Sequence, residues 1–204
     1  FHADTADFKL KSASDVQGIA FETKNMKTTI DLKNRVGDFI ANDGASYVNF
    51  PINQYVCFMD QFKWFMDDYE LELTSTEAGS KEANTGAGGS DLDLSGAEFI
   101  STHPEQDSLV FVSPKANYNL KDNIIKAHEV KYINVADARV FTGDGEVEIH
   151  KKADMKELVE AEIVANVVTK YHTITEAKVK IKARRDYTAE GEYQFLDAEG
   201  EGQN

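Results

Sequence analysis

The residues able to do chemistry are five histidines, a surplus of acids, one thiol and a run of aromatics. Histidines stand at positions 2, 103, 128, 150 and 172, and the last three are 22 residues apart. That interval invites a ladder of metal ligands, but ligation needs convergent side chains and outer-shell partners to orient them. The glycine-centred repeat described below runs at 46 residues rather than 44. The histidines therefore drift out of phase with it and read as unrelated surface residues. Acidic pairs occur at Asp67-Asp68, Asp91 with Asp93, and Glu160 with Glu162. Glycoside hydrolysis needs two carboxyls across a cleft, about 5–10 Å apart, one of them with a raised pKa. With 36 Asp plus Glu, pairs arise by chance and specify no cleft.

Asn42-Asp43-Gly44 and Asp144-Gly145-Glu146 offer too few oxygens for a calcium loop and read as turns. The chain carries no G-x-S-x-G, H-E-x-x-H or phosphate-loop motif, and Gly86-Ala-Gly-Gly89 is followed by no lysine. No catalytic residue, metal or cofactor is expected. Cys57, the only cysteine, excludes an internal disulfide, and beside Val56, Phe58 and Met59 it reads as a buried apolar residue. The aromatics Tyr55, Phe58, Phe62, Trp64, Phe65 and Tyr69 are crowded together. Core packing is their ordinary role. The functional alternative is an apolar platform for lipid or sugar faces, with Tyr55, Phe58, Phe62 and Trp64 as its candidate ligand-binding residues.

The elements that would position these groups are strands. Alternation of apolar and polar residues marks Phe8–Lys11, Ile19–Glu22, Thr28–Lys33, Tyr69–Leu73, Glu146–Ile149 and Val179–Lys182. Prolines 51, 104 and 114 fall at loop candidates, where they interrupt no ladder. Two segments read as helical. Apolar residues at 55, 58, 59, 62, 65, 66 and 69 have helix spacing, with Asn53 as a cap. The competing reading is a strand through Phe62–Met66, and the favoured compromise is a short helix near 53–61 followed by that strand. Lys151–Ala161 is the second helix candidate, with partial helical spacing. Residues 75–96, rich in Gly, Ser and acids, form a flexible loop between an N-terminal segment (1–74) and a C-terminal repeat segment (97–204) of one continuous fold.

Two signatures recur. Phe141-Thr-Gly-Asp-Gly145-Glu-Val-Glu-Ile149 matches Tyr187-Thr-Ala-Glu-Gly191-Glu-Tyr-Gln-Phe195 position for position, and Phe39–Phe50 is a looser copy around Gly44. The glycine is expected to supply a positive φ where the chain turns before a strand. Alanines 97, 116, 138, 161 and 177 each open an alternating apolar run, at gaps of 19, 22, 23 and 16 residues. Such spacing suits short stacked rungs, and equally the hairpins of an antiparallel sandwich. The fold class expected is all-β: an elongated stacked or folded-over sheet, solenoid or jelly-roll-like, with one short helix.

An alternating strand, an acid or Asn before Gly, then a second alternating strand resembles the OstA-like periplasmic proteins of lipopolysaccharide transport. The matching stretches are Ile125–Tyr132, Asp144–Ile149 and Tyr187–Tyr193, within Leu109–Phe195. The resemblance implies a folded-over sheet stack whose apolar interior groove holds or passes acyl chains. It transfers no individual residue as a ligand contact.

Charge narrows the partners. The formal net charge of -14, from 22 basic and 36 acidic residues, repels nucleic acid and anionic membrane surfaces. The basic stretch Lys178–Arg185 alternates with apolar residues and reads as one solvated strand face. No run is long enough for a transmembrane helix, and Phe1 in place of an initiator Met suggests a processed or excised, exported product. The expected function is a non-enzymatic periplasmic or cell-surface module that binds lipid or glycan, or that associates with itself or neighbouring repeats through its sheet edges. The alternatives are a carbohydrate-binding or carbohydrate-active β domain with Trp64 as the sugar platform, and a structural spacer repeat of a larger surface protein.

Overall fold

In the computed structural model, residues 1–14, 17–76, 96–165, 172–196 and 202–203 are described. The expected loop at 75–96 lies for the most part outside them. The strands in chain order are β1 (His2–Lys11), β2 (Ile19–Asp31), β3 (Val36–Ala41), β4 (Ser46–Phe50), β5 (Tyr55–Met59) and β6 (Gln61–Phe65). Next come β7 (Glu70–Thr74), β8 (Ala97–Ser101), β9 (Val110–Ser113), β10 (Lys115–Asn119), β11 (Ile124–His128) and β12 (Tyr132–Val135). The series ends with β13 (Ala138–Phe141), β14 (Val147–Ile149), β15 (Leu158–Ala165), β16 (His172–Ala183), β17 (Asp186–Leu196) and β18 (Gly202–Gln203). Every pairing is antiparallel, and all belong to one sheet that does not close into a barrel.

Register shows that the sheet is folded over. β3 pairs with β6 while β4, the strand between, pairs with β5. β6 then pairs with β7 and β5 with β8, then β7 with β10 and β8 with β9. The same leapfrog continues with β10–β11 beside β9–β12, and with β11–β14 beside β12–β13. Each rung is therefore one bent unit of two strands. Its halves belong to two leaves, the first built from β3, β6, β7, β10, β11 and β14, the second from β4, β5, β8, β9, β12 and β13. The rung and hairpin readings of the repeat describe one object: rungs that pair antiparallel across a bend.

At both ends of the stack, single long strands cross the bend. β2 pairs with β4 through Glu22 and Thr23 and with β3 from Met26 to Asp31. Asn25 between them adopts φ 55°, a left-handed conformation that Asn tolerates better than most residues. β15 and β16 bend at Glu160 (φ 53°) and Glu176 (φ 49°), where their register slips. Such bulges redirect a strand without ending it. Gly145 also sits on this line of bends at φ 75°, as its signature requires. Gly191 works differently, because its φ is not positive. A Cβ there would stand 2.7 Å from the Thr175 carbonyl oxygen and 2.9 Å from the Ala177 Cα, so glycine permits close approach of β16 and β17.

Four of the recurring alanines, Ala97, Ala116, Ala161 and Ala177, are buried directly after the bend, where large residues are accepted too: register sets Ala116 level with Leu73 and Phe62. Ala138 instead follows the tight turn 136–137 and is buried as well. The interior between the leaves takes Phe21, Phe50, Tyr55, Phe62, Phe99, Phe111 and Tyr118, all buried. Rings from opposite leaves meet there: Phe50 lies 5.0 Å from Tyr118 and Phe21 5.6 Å from Phe62.

The helix expected near 53–61 is strand β5 after a turn at 51–54. Tyr55, Cys57 and Met59 face the core and Phe58 faces out, a period of two, while Asp60 carries the chain over the bend into β6. The apparent helix spacing came from superposing two such alternations. The second helix candidate shrinks to a 3-10 turn, Lys151–Ala153, and from Leu158 the chain is strand β15. A further 3-10 turn, Pro104–Gln106, begins on Pro104.

Candidate functional site

The four candidate aromatics do not converge on one surface. Tyr55 (0% exposed) and Phe62 (3%) point between the leaves as core residues. Burial raises the Tyr55 hydroxyl's pKa well above the ordinary phenol value, and that hydroxyl donates to Gln106 Oε1 at 3.3 Å. Trp64 also faces inward, half-buried at the β1 end of the stack, with its ring 5.7 Å from Phe8. Phe58 lies on the outer face of the second leaf, 40% exposed, against Tyr47. Cys57 is fully buried, and burial pushes its thiol pKa up, as its apolar neighbours suggested.

Three features of the described residues stand out, the first two of them missed by sequence reasoning. The first is a polar lock across the open side of the fold. Asn53, expected as a helix cap, donates through Nδ2 to the Asn123 carbonyl at 2.8 Å and the Ile149 carbonyl at 3.1 Å. Lys152 and Ala153 amides return bonds to the Ile52 and Asn53 carbonyls. Gln106 Nε2 donates to the Ala153 carbonyl at 2.7 Å. The turns of the two leaves are thereby tied together over the aromatic interior. Asn53 stood out only as a polar residue before an apolar run, which carries no trace of partners 70 and 96 positions away.

The second feature is the outer face of the first leaf. Register brings Asp38, Lys63, Glu72, Asn117, Lys126 and Glu148 into one row across β3, β6, β7, β10, β11 and β14. Their signs largely alternate. Glu146 pairs with Lys126 at 2.7 Å, a bond that holds its carboxyl below the usual glutamate value. His128 lies between Glu146 (3.2 Å) and Asn117 (2.9 Å), His150 pairs with Glu148, and His172 with Tyr193. The three histidines thus have separate partners. Among the described residues no group of three or more His, Cys, Asp or Glu is placed to hold a metal ion.

The third feature is the pair of stack ends. Among the described residues β1 pairs with β2 alone, and β17 carries β18 only at Phe195 and Leu196. The interior columns run out to these ends: Phe8 and Leu10 at one, Ile174, Tyr187 and Ala189 at the other, each partly buried against the core.

Among the described residues no helix is long and apolar enough to cross a membrane. No protein-family model, curated protein or solved structure matches the chain.

Proposed function

We propose that the chain is a non-enzymatic structural and binding module of the bacterial cell envelope, whose folded-over sheet is continued at its ends by strands from neighbouring units. One observation carries this reading. Among the described residues β1 is paired on one side only along its ten residues, and its own half-buried Phe8 and Leu10 end an interior that one further bent strand would extend. Unpaired edges with apolar flanks are templates for strand addition. The envelope setting rests on the resemblance of Leu109–Phe195 to the OstA-like proteins, and the charge of -14 supports partners other than nucleic acid.

A photo-crosslinking residue at Thr5 in β1 tests the proposal in cells. Cross-links to a strand of a second copy, or of a neighbouring unit, are expected. Their absence, with a monomer at every concentration in sedimentation, overturns it.

Acyl cargo is the second reading, favoured by the continuous apolar interior. Because Phe50, Phe62 and Tyr118 fill that interior, cargo would require the Asn53 lock to release. Native mass spectrometry of protein purified without detergent should then show acyl adducts that increase in Asn53→Ala. Adduct-free spectra for both proteins would remove cargo from consideration.

A further inference from the structure

The direction in which β1 crosses the bend limits what can pair with its second edge, which is unpaired among the described residues. His2 and Ala3 pair with Thr29 and Thr28, in the arm of β2 that lies beside β3. Phe8 and Lys9 pair with Thr23 and Glu22, in the arm that lies beside β4. β1 thus runs from the first leaf to the second. β17 runs the same way. Its Ala189 is level with Val179 and Leu158, before the bend of β15, whereas Tyr193 is level with Ile174 and Ile163, beside β13 of the second leaf. A neighbour stacked head to tail with its bends in line would therefore set its β17 parallel to β1. A neighbour turned over by a twofold axis through the line of bends would set its own β1 antiparallel, the sense of every pairing in this fold.

Resting on the reading that β1 accepts a further strand, we infer that this strand is β1 of a second copy of the chain, paired antiparallel about a twofold axis between Ala6 and Asp7. β1 slips register on both sides of Ala6, opposite the bend at Asn25. Aligning the bends of two copies sets Asp4 opposite Lys9 and His2 opposite Lys11 on the exposed side, with half-buried Ala3 opposite Leu10 toward the interior. Asp4 and Lys9 pair within their own chain with His2 at 3.2 Å and Glu22 at 3.4 Å, yet their side chains stay 89% and 53% exposed. Asp7, at the axis, has its carboxylate turned back to the Asn25 amide at 3.2 Å. A register slipped by two residues would set Asp4 against Asp7 instead. Opposite charges across antiparallel strands stabilise the pair and like charges destabilise it, so β1 complements itself in one register. β17 does not. Its bend at Gly191 would set Glu190 against Glu192 of the other copy, and β18 already pairs with Phe195 and Leu196. The β1 contact is isologous and closes at a dimer.

Sedimentation equilibrium of the full chain and its charge variants tests the inference. The wild type should dimerise. Asp4→Lys and Lys9→Glu should each weaken the dimer about tenfold or more, because the twofold axis turns two attractions into two repulsions. The double variant Asp4→Lys/Lys9→Glu should restore it. A second arm uses cysteines and stays decisive if a reversal misfolds. An equimolar mixture of Asp4→Cys and Lys9→Cys chains should form an intermolecular disulfide that neither forms alone, with the buried Cys57 taking no part. A dimer indifferent to both reversals, or a mixture that cross-links no better than its components, overturns the inference. Cross-links from Thr5 to β17 or to a different protein also overturn it, while leaving the strand-addition reading in place. A monomer at every concentration, with no Thr5 cross-link, removes both.

Discussion

Replacing Asn53 by alanine removes the polar lock and should measurably destabilise the fold. The side chain is completely buried and donates two hydrogen bonds, at 2.8 and 3.1 Å, to carbonyls on β-turn and strand segments far away in sequence. A buried carbonyl deprived of its donor costs about 1–3 kcal/mol. Against that, the substitution also deletes Asn53 Oδ1, which is buried without a partner among the described residues, and so relieves part of the loss. With two bonds lost and one unsatisfied acceptor relieved, the balance is about 1–3 kcal/mol. At about 2–4 °C per kcal/mol for chains of this size, the midpoint should fall by roughly 2–12 °C. Urea unfolding followed by far-ultraviolet circular dichroism gives the free energy directly, and an unchanged m-value keeps the comparison valid. A loss below about 0.5 kcal/mol, the range of an ordinary surface change, would refute the assignment of Asn53 as the tie between leaves.

Three further outcomes follow from the geometry. Gly191→Ala should cost about 1–3 kcal/mol, the ordinary penalty of overpacking, because its new methyl meets the β16 backbone at Thr175 and Ala177; a neutral result in chemical denaturation would mean that β16 and β17 can separate freely there. Cys57 should stay inert to Ellman's reagent in the native protein and react promptly in urea, since burial both shields the thiol and raises its pKa; fast native labelling contradicts the packing of β5. Glu146 has a folded pKa depressed below its ordinary 4.5, chiefly by the hydrogen bond from Lys126. Its stabilising contribution is complete above the unfolded value and is lost as pH falls through the folded one. Glu146→Gln should therefore flatten the acid side of the stability profile below about pH 4.5, by an amount kept under about 1 kcal/mol by the pair's exposure; an unaltered slope would show the pair to be idle.

Alternation made the strands legible. Phe8–Lys11, Thr28–Asp31, Glu70–Leu73 and Val179–Lys182 lie in strands with the apolar side inward, because a half-buried sheet imposes period two. The segment from Asn53 to Asp60 failed because the alternations of β5 and β6, joined at Asp60, together imitate helical spacing over one stretch. The alanine signature was visible, but its place, directly after the bend in four of the five cases, is a tertiary fact. The glycine signature was half understood: Gly145 obeys its backbone, whereas Gly191 obeys a neighbour 14 or more positions away. Phe58 was singled out, yet its partner Tyr47 and the Asn49–Glu22 bond depend on strand register, which composition and spacing do not encode.

The line of bends also sets how such a chain can lengthen over evolutionary time. Each bent unit from β3 to β14 touches mainly the units before and after it, so the energy is close to a sum over neighbours. A duplicated unit of two strands would slide into the series and find both of its partners already shaped for it. An insertion at the bend, where β7 gives way to β8, adds length at the margin without parting any ladder. Growth by whole units and tolerance of inserts at one margin are thus inherited from a single geometric habit, the regular crossing from one leaf to the other.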